Sequence, residues 1–86
     1  MHETQILAGL KAFIVKEMLE GNDEGLEAET PLIELGLINS ISLMRLRAYV
    51  QREFTVKIPE EALTVSNLAS LAALTRLVCQ LSARKG

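Results

Sequence analysis

Tryptophan is absent, tyrosine occurs once and phenylalanine twice, so Phe13, Tyr49 and Phe54 are the whole aromatic inventory of 86 residues. So thin a set offers no stacking platform for unpaired bases, which argues against a single-stranded nucleic acid as ligand. The lone Cys79 permits neither an intrachain disulfide nor a cysteine-based zinc site, and it suits a reducing compartment. Its expected role is that of a small packing residue. The one histidine, His2, sits at the chain end where disorder is expected, too far along the sequence from Cys79 to suggest a shared metal site. No serine therefore has a histidine base near it in the pattern that nucleophilic catalysis needs, and the chain is not expected to be an enzyme. No apolar run reaches membrane-spanning length, because Lys11, Arg45 and Arg76 interrupt the candidates. The N-terminus lacks the basic region and cleavage pattern of a signal peptide, so a cytoplasmic location is expected, with no membrane partner.

What is present is apolar periodicity. Apolar residues make up 49% of the chain, enough for a single small folded domain over residues 1–86. From Thr4, Ile6, Leu7, Leu10, Phe13, Ile14 and Met18 recur at spacings of three and four, which predicts an amphipathic helix ending at Gly21. "GNDEGLEAETPLIE", residues 21–34, carries two glycines, a proline and five acids and reads as a loop. Leu26, Leu32, Ile33 and Leu35 are expected to pin that loop to the core, with Thr30-Pro31 opening a single turn.

A second helix is predicted from Ser40 to Glu53, with Leu43, Leu46, Val50 and Phe54 facing inward and Ile41, Met44 and Ala48 on an adjoining face. Val56 and Ile58 read as short extended anchors, and Pro59 opens a brief turn over "PEEAL". "TVSNLASLAALTRLVCQL" predicts one last helix, capped by Ser66 or Asn67, with Leu68, Leu71, Leu74, Val78 and Leu81 inside. The expected fold is all-α: a small four-helix bundle of three longer helices and one short, with a long loop between the first two.

The net charge of −2 conceals an asymmetry. Residues 1–36 hold eight acids against two bases, a net −6, and residues 37–86 hold seven bases against three acids, a net +4. The acids of the loop have no metal-site spacing and read as a solvated surface. A helical interaction module without modification is one reading of such a chain. Its DNA-binding version is disfavoured by the scarcity of base-reading side chains and the acidic first half.

The distinctive stretch is "LGLINSISLMRL", residues 35–46, where a polar Asn39-Ser40 pair interrupts two apolar runs at a helix start. Either residue suits a helix N-cap. Ser40 there stands at the positive end of a helix, near unpaired backbone N–H groups, where a phosphoester is favoured.

"TPLIELGLINSISLMRLRAYVQREFTVKIPEEAL" followed by "LASLAALTRLV" resembles the acyl and peptidyl carrier proteins, in motif order and over nearly the whole chain. The resemblance implies a stand-alone carrier with 4′-phosphopantetheine on Ser40 and Asn39 beside it in the position where the family has Asp; Ser42 does not align. It implies a thioester-bound cargo, with a phosphopantetheinyl transferase, an adenylating loading enzyme and a downstream tailoring or acyl-transfer enzyme as partners of a monomer. Asn before the serine is similar to some stand-alone carriers of prolyl and pyrrolyl groups, which tilts the cargo towards an aminoacyl group in secondary metabolism, such as nonribosomal peptide or polyketide synthesis. Fatty-acid carriers have an acidic second helix, whereas Ser40–Phe54 carries Arg45, Arg47 and Arg52 against Glu53. Ile41, Met44, Arg45 and Ala48 are the expected partner-binding residues, while Arg47 and Arg52 divide evenly between partner contact and plain solvation.

Overall fold

A computed structural model of the chain describes residues 2–21 and 26–85. Within them the chain is helical, with no strand among the described residues: α1 (Glu3–Met18), α2 (Ser40–Phe54), a 3-10 turn (Glu60–Ala62), the single-turn α3 (Val65–Leu68) and α4 (Leu71–Lys85). Three longer helices and short ones, with a long connection after the first, match the expected bundle. The part of the expected loop over residues 22–25 lies outside the described residues.

The apolar spacing of α1 does what its period requires. Ile6, Leu10 and Ile14, four residues apart, are fully buried, and Leu7, Phe13 and Met18 pack beside them. His2 stands at its start, where the N–H groups of Gln5 and Ile6 donate to the His2 carbonyl at 3.1 and 3.2 Å. The helix closes where the Gly21 N–H donates to the Val15 carbonyl at 2.9 Å, with Gly21 at φ +87°, a conformation glycine adopts freely. α1 packs mainly on α4, whose Leu71, Leu74, Leu77 and Val78 are buried; Leu81 is only partly so, and Cys79 is half-buried against the core as expected.

The last helix departs from expectation. It is split at Ala69-Ser70, and its cap is neither Ser66 nor Asn67. Thr64 caps α3, its Oγ1 accepting from the Asn67 N–H at 3.2 Å. The split has a cause in the loop. In a continuous helix the Ala72 N–H would donate to Leu68 and the Ala73 N–H to Ala69. Here the Ala72 N–H donates to the Ala28 carbonyl at 2.9 Å, and the Ala69 carbonyl accepts from the Leu32 N–H at 2.9 Å. The Ala73 N–H turns to Ser70 Oγ at 3.2 Å. The loop has taken over two rungs of the helix, and Ser70 caps what remains.

These two bonds staple the loop to the α3–α4 junction, and Leu26 and Leu32 are buried beneath it. Leu35 is the exception to the expected pinning. The turn that Pro31 opens, closed by the Leu35 N–H on the Pro31 carbonyl at 3.1 Å, carries Leu35 outward, where it is 60% exposed.

α2 buries Leu46 and Val50 and meets α1 through the aromatic residues. Phe13 and Tyr49 stack with centroids 4.6 Å apart, and Phe54 meets Tyr49 edge-on at 5.8 Å, so all three aromatic rings form one cluster. Gly9 allows this approach: a Cβ there would lie 2.9 Å from both Phe54 Cζ and Tyr49 Oη. Tyr49 Oη donates to the Gly9 carbonyl at 2.9 Å. After α2, Val56 and Ile58 are buried as expected, and Arg47 Nε donates to the Ile58 carbonyl at 3.0 Å. Arg47 therefore fastens this link to α2, a role outside both expected ones, while Arg52 stays exposed, 3.8 Å from Glu53.

Tyr49→Phe keeps the ring cluster and removes only the hydrogen bond, so chemical denaturation is expected to show a loss of about 1 kcal/mol. Burial, and then the charge of Glu53, raises the Tyr49 pKa above its ordinary value of 10.0 against a smaller opposing effect of Arg52. The protonated hydroxyl thus stabilises the fold below pH about 10, and that contribution is lost as pH rises through the raised folded-state value. Tyr49→Phe should lack this alkaline step. Gly9→Ala, with two rigid rings in the way, should destabilise by about 1–3 kcal/mol despite alanine's better helix propensity.

Candidate functional site

The start of α2 is built by the side chain of Asn39. Its backbone is extended, and its Oδ1 accepts from the N–H groups of Ile41 at 2.9 Å and Ser42 at 3.0 Å. Ser42 answers: its Oγ accepts from the Asn39 N–H at 2.8 Å and donates to the Leu37 carbonyl at 3.1 Å. This is a capping box with serine in the third helical position, where Glu or Gln is the usual partner. Ser42 is consequently buried, with both its donor and its acceptor capacity engaged.

Ser40 is the opposite. It is exposed, and none of the hydrogen bonds among the described residues uses its hydroxyl. Two serines two residues apart have been sorted by the cap, one into the fold and one into solvent. One expectation changes with this geometry. The N–H groups of Ile41 and Ser42 are spent on Asn39, so a phosphoester on Ser40 would feel the positive helix terminus without those two donors. The exposed hydroxyl and the open approach fit a phosphopantetheine group: Gly36, at φ +74°, has no heavy atom near where a Cβ would stand.

Beyond Ser40 the surface of α2 is apolar and basic. Ile41 is 68% exposed and Met44 72%; Ala48 and Arg45 are exposed as well. These are the four residues expected to meet partners, and all four face solvent. Arg45 also reaches Glu17 on α1, with Nη1 3.6 Å from Oε2. A shallow groove of about 250 Å³ runs past Met44, Ala48 and Gln51 towards Lys57.

Sequence reasoning missed Leu35 and Val65. Both are large apolar side chains left in solvent, on the loop before α2 and at the start of α3, and exposure of this kind commonly marks a contact surface. Among the described residues, no group of three or more His, Cys, Asp or Glu could hold a metal ion. No helix among them is long and apolar enough to cross a membrane.

Asn39→Ala removes the cap and should cost about 1 kcal/mol in a denaturation experiment. Asn39→Asp keeps the acceptor and adds a charge of the sign that the helix start favours, so its stability should equal or exceed that of the parent.

The description of a phosphopantetheine attachment site matches residues 12–75. The probable acyl carrier protein PigG of Serratia sp. is 30% identical over 70 residues, which are 81% of this chain and 80% of that protein. A chain in a solved structure described as "Crystal structure of FAD-dependent dehydrogenase" superposes with a TM-score of 0.76 at 38% identity, covering 80% of this chain and 97% of that one. The family match runs from the middle of α1 into α4 and takes in the capped start of α2, and the chain thereby belongs to the acyl carrier proteins, non-catalytic domains to which 4′-phosphopantetheine is covalently attached.

Proposed function

We propose that Ser40 carries the phosphopantetheine and that the chain holds an acyl or aminoacyl group for enzymes of secondary metabolism, of the nonribosomal peptide or polyketide type. The observation that carries the site is the contrast between the two serines: Ser40 is exposed, with no hydrogen bond to its hydroxyl among the described residues, and Ser42 is buried and tied at both ends. In the attachment, Ser40 Oγ attacks the pantetheine-bearing phosphorus of coenzyme A. The bond to the adenosine bisphosphate leaving group breaks, and the serine proton passes to a base of the transferase. The group supplies a terminal thiol on which cargo is held as a thioester. The chain's own residues do the rest: Asn39 fixes the helix start, and the α2 surface is offered to each enzyme in turn.

The partners are a phosphopantetheinyl transferase, an adenylating loading enzyme and a tailoring enzyme. A flavin-dependent dehydrogenase is the favoured tailoring enzyme, because the similar small chain occurs in a structure described by that activity and is matched over nearly its full length. A reducing, cytoplasmic setting suits both the free Cys79 and a free thiol at the end of the arm. Ile41, Met44 and Ala48 provide an apolar contact, and Arg45 sets association rate and selectivity.

Incubation with coenzyme A and a broad-specificity transferase, followed by intact mass measurement, tests the site. The parent protein and Ser42→Ala should each gain one phosphopantetheine, and Ser40→Ala none; modification of Ser40→Ala would overturn the assignment. On the modified protein, Met44→Glu should impair loading by the adenylating enzyme while helical content is unchanged. Arg45→Glu should slow loading more at low salt than at high salt, since screening erodes steering. Equal loading rates for all three proteins would exclude this face as the docking surface.

A further inference from the structure

Arg45 is the cation of the exposed α2 surface nearest Ser40, and in this structure it is already engaged. Its Nη1 lies 3.6 Å from Oε2 of Glu17, in the last turns of α1. Both side chains line a cleft of about 240 Å³ that Met18, Leu37 and Ile41 also line. Both remain in contact with water, at 63% and 36% exposure, and exposed pairs of this kind add little to stability. A pair that contributes little to the fold and that shares a cleft with Ile41 is placed where an incoming carboxylate would meet it.

We propose that Glu17 is a specificity-determining residue of this carrier: it occupies Arg45 in the free protein and has to be displaced by a carboxylate of the docking enzyme. The inference rests on the reading of the α2 face as the docking surface. The occupant is an enzyme groove with an apolar floor and an acidic residue directed at Arg45. Charge complementarity argues for it, since α2 carries three arginines against one glutamate. An enzyme offering only an apolar groove leaves the Glu17–Arg45 pair closed and gains nothing from the cation. An enzyme with a placed carboxylate exchanges one partner of Arg45 for another, and discrimination between the two kinds of enzyme follows.

The test uses phosphopantetheinylated protein and the adenylating enzyme that loads it, with four carriers: parent, Glu17→Gln, Arg45→Gln and the double variant. At low ionic strength Glu17→Gln should raise kcat/KM about two- to fivefold, through KM with kcat unchanged, the range an exposed ion pair allows. High salt should erase the gain. In the Arg45→Gln background Glu17→Gln should have no effect, because its action runs through Arg45. The same gain in both backgrounds would mean that Glu17 acts only as one negative charge among many, and would overturn the proposal. No gain from Glu17→Gln, with Arg45→Gln still slowing loading, would overturn it too while leaving the docking face intact. Arg45→Gln without effect would remove the docking reading together with this one. Circular dichroism melts of the four proteins should coincide, which keeps the comparison on docking.

Discussion

The site depends on one carbonyl oxygen. Asn39 Oδ1 accepts from two backbone N–H groups at once, and in doing so it decides which residue is the first of α2. A helix turns by about 100° per residue, so with the start held by the cap and Leu46 and Val50 buried in the core, the direction of each side chain between them is set. Ser40 then faces solvent, Ser42 faces the loop, and Leu46 and Val50 face the core. Without the cap the first turn of α2 would lose the partners of two N–H groups, and the places of Ser40 and Ser42 would be lost with it. Ser42 makes the start reciprocal by accepting from the Asn39 N–H, so the cap is held from both sides.

The cap needs a chain that arrives from the right direction, and the loop provides it. The loop is anchored by backbone bonds from Leu32 to Ala69 and from Ala72 to Ala28, exchanged with what would otherwise be a continuous final helix. A hydrogen bond of this kind contributes only about 1 kcal/mol net, but leaving its buried partner unsatisfied costs about 1–3 kcal/mol. The loop and the helix junction are thus bound to one another: neither can relax without stranding polar groups of the other. The Leu37 and Ile38 N–H groups then close on the Leu32 carbonyl at 2.9 and 3.3 Å, and the chain is delivered to Asn39. The path from a break in one helix to the start of another is short and passes through backbone atoms alone.

The sequence showed what depends on local period. Ile6, Leu10 and Ile14 announce α1 by spacing, Leu46 and Val50 announce α2, and "Asn-Ser" before an apolar run announces a capped start. It could not show what depends on residues brought together from afar. The split after Leu68 was hidden because its cause, the exchange with Ala28 and Leu32, lies some forty residues away in sequence. Leu35 was misjudged because apolarity says nothing of direction; the turn after Pro31 decides that, and it points Leu35 outward. Arg47 looked like a surface charge because its partner is a backbone carbonyl, which leaves no mark in the sequence. Glu17 facing Arg45 was hidden for the same reason as the split helix: it is a contact between helices and not within one.

The central claim is that the cap sorts the two serines, and locating the modified atom tests it most directly. Trypsin releases residues 17–45 as one peptide that holds both Ser40 and Ser42. Backbone fragmentation of that peptide, taken from the phosphopantetheinylated parent protein, separates the two by the bonds on either side of Ile41. All of the added mass is expected on the N-terminal fragment that ends at Ser40. Added mass first appearing with Ser42 would contradict the claim, because the hydroxyl held by Leu37 and Asn39 would then be the one that reacts.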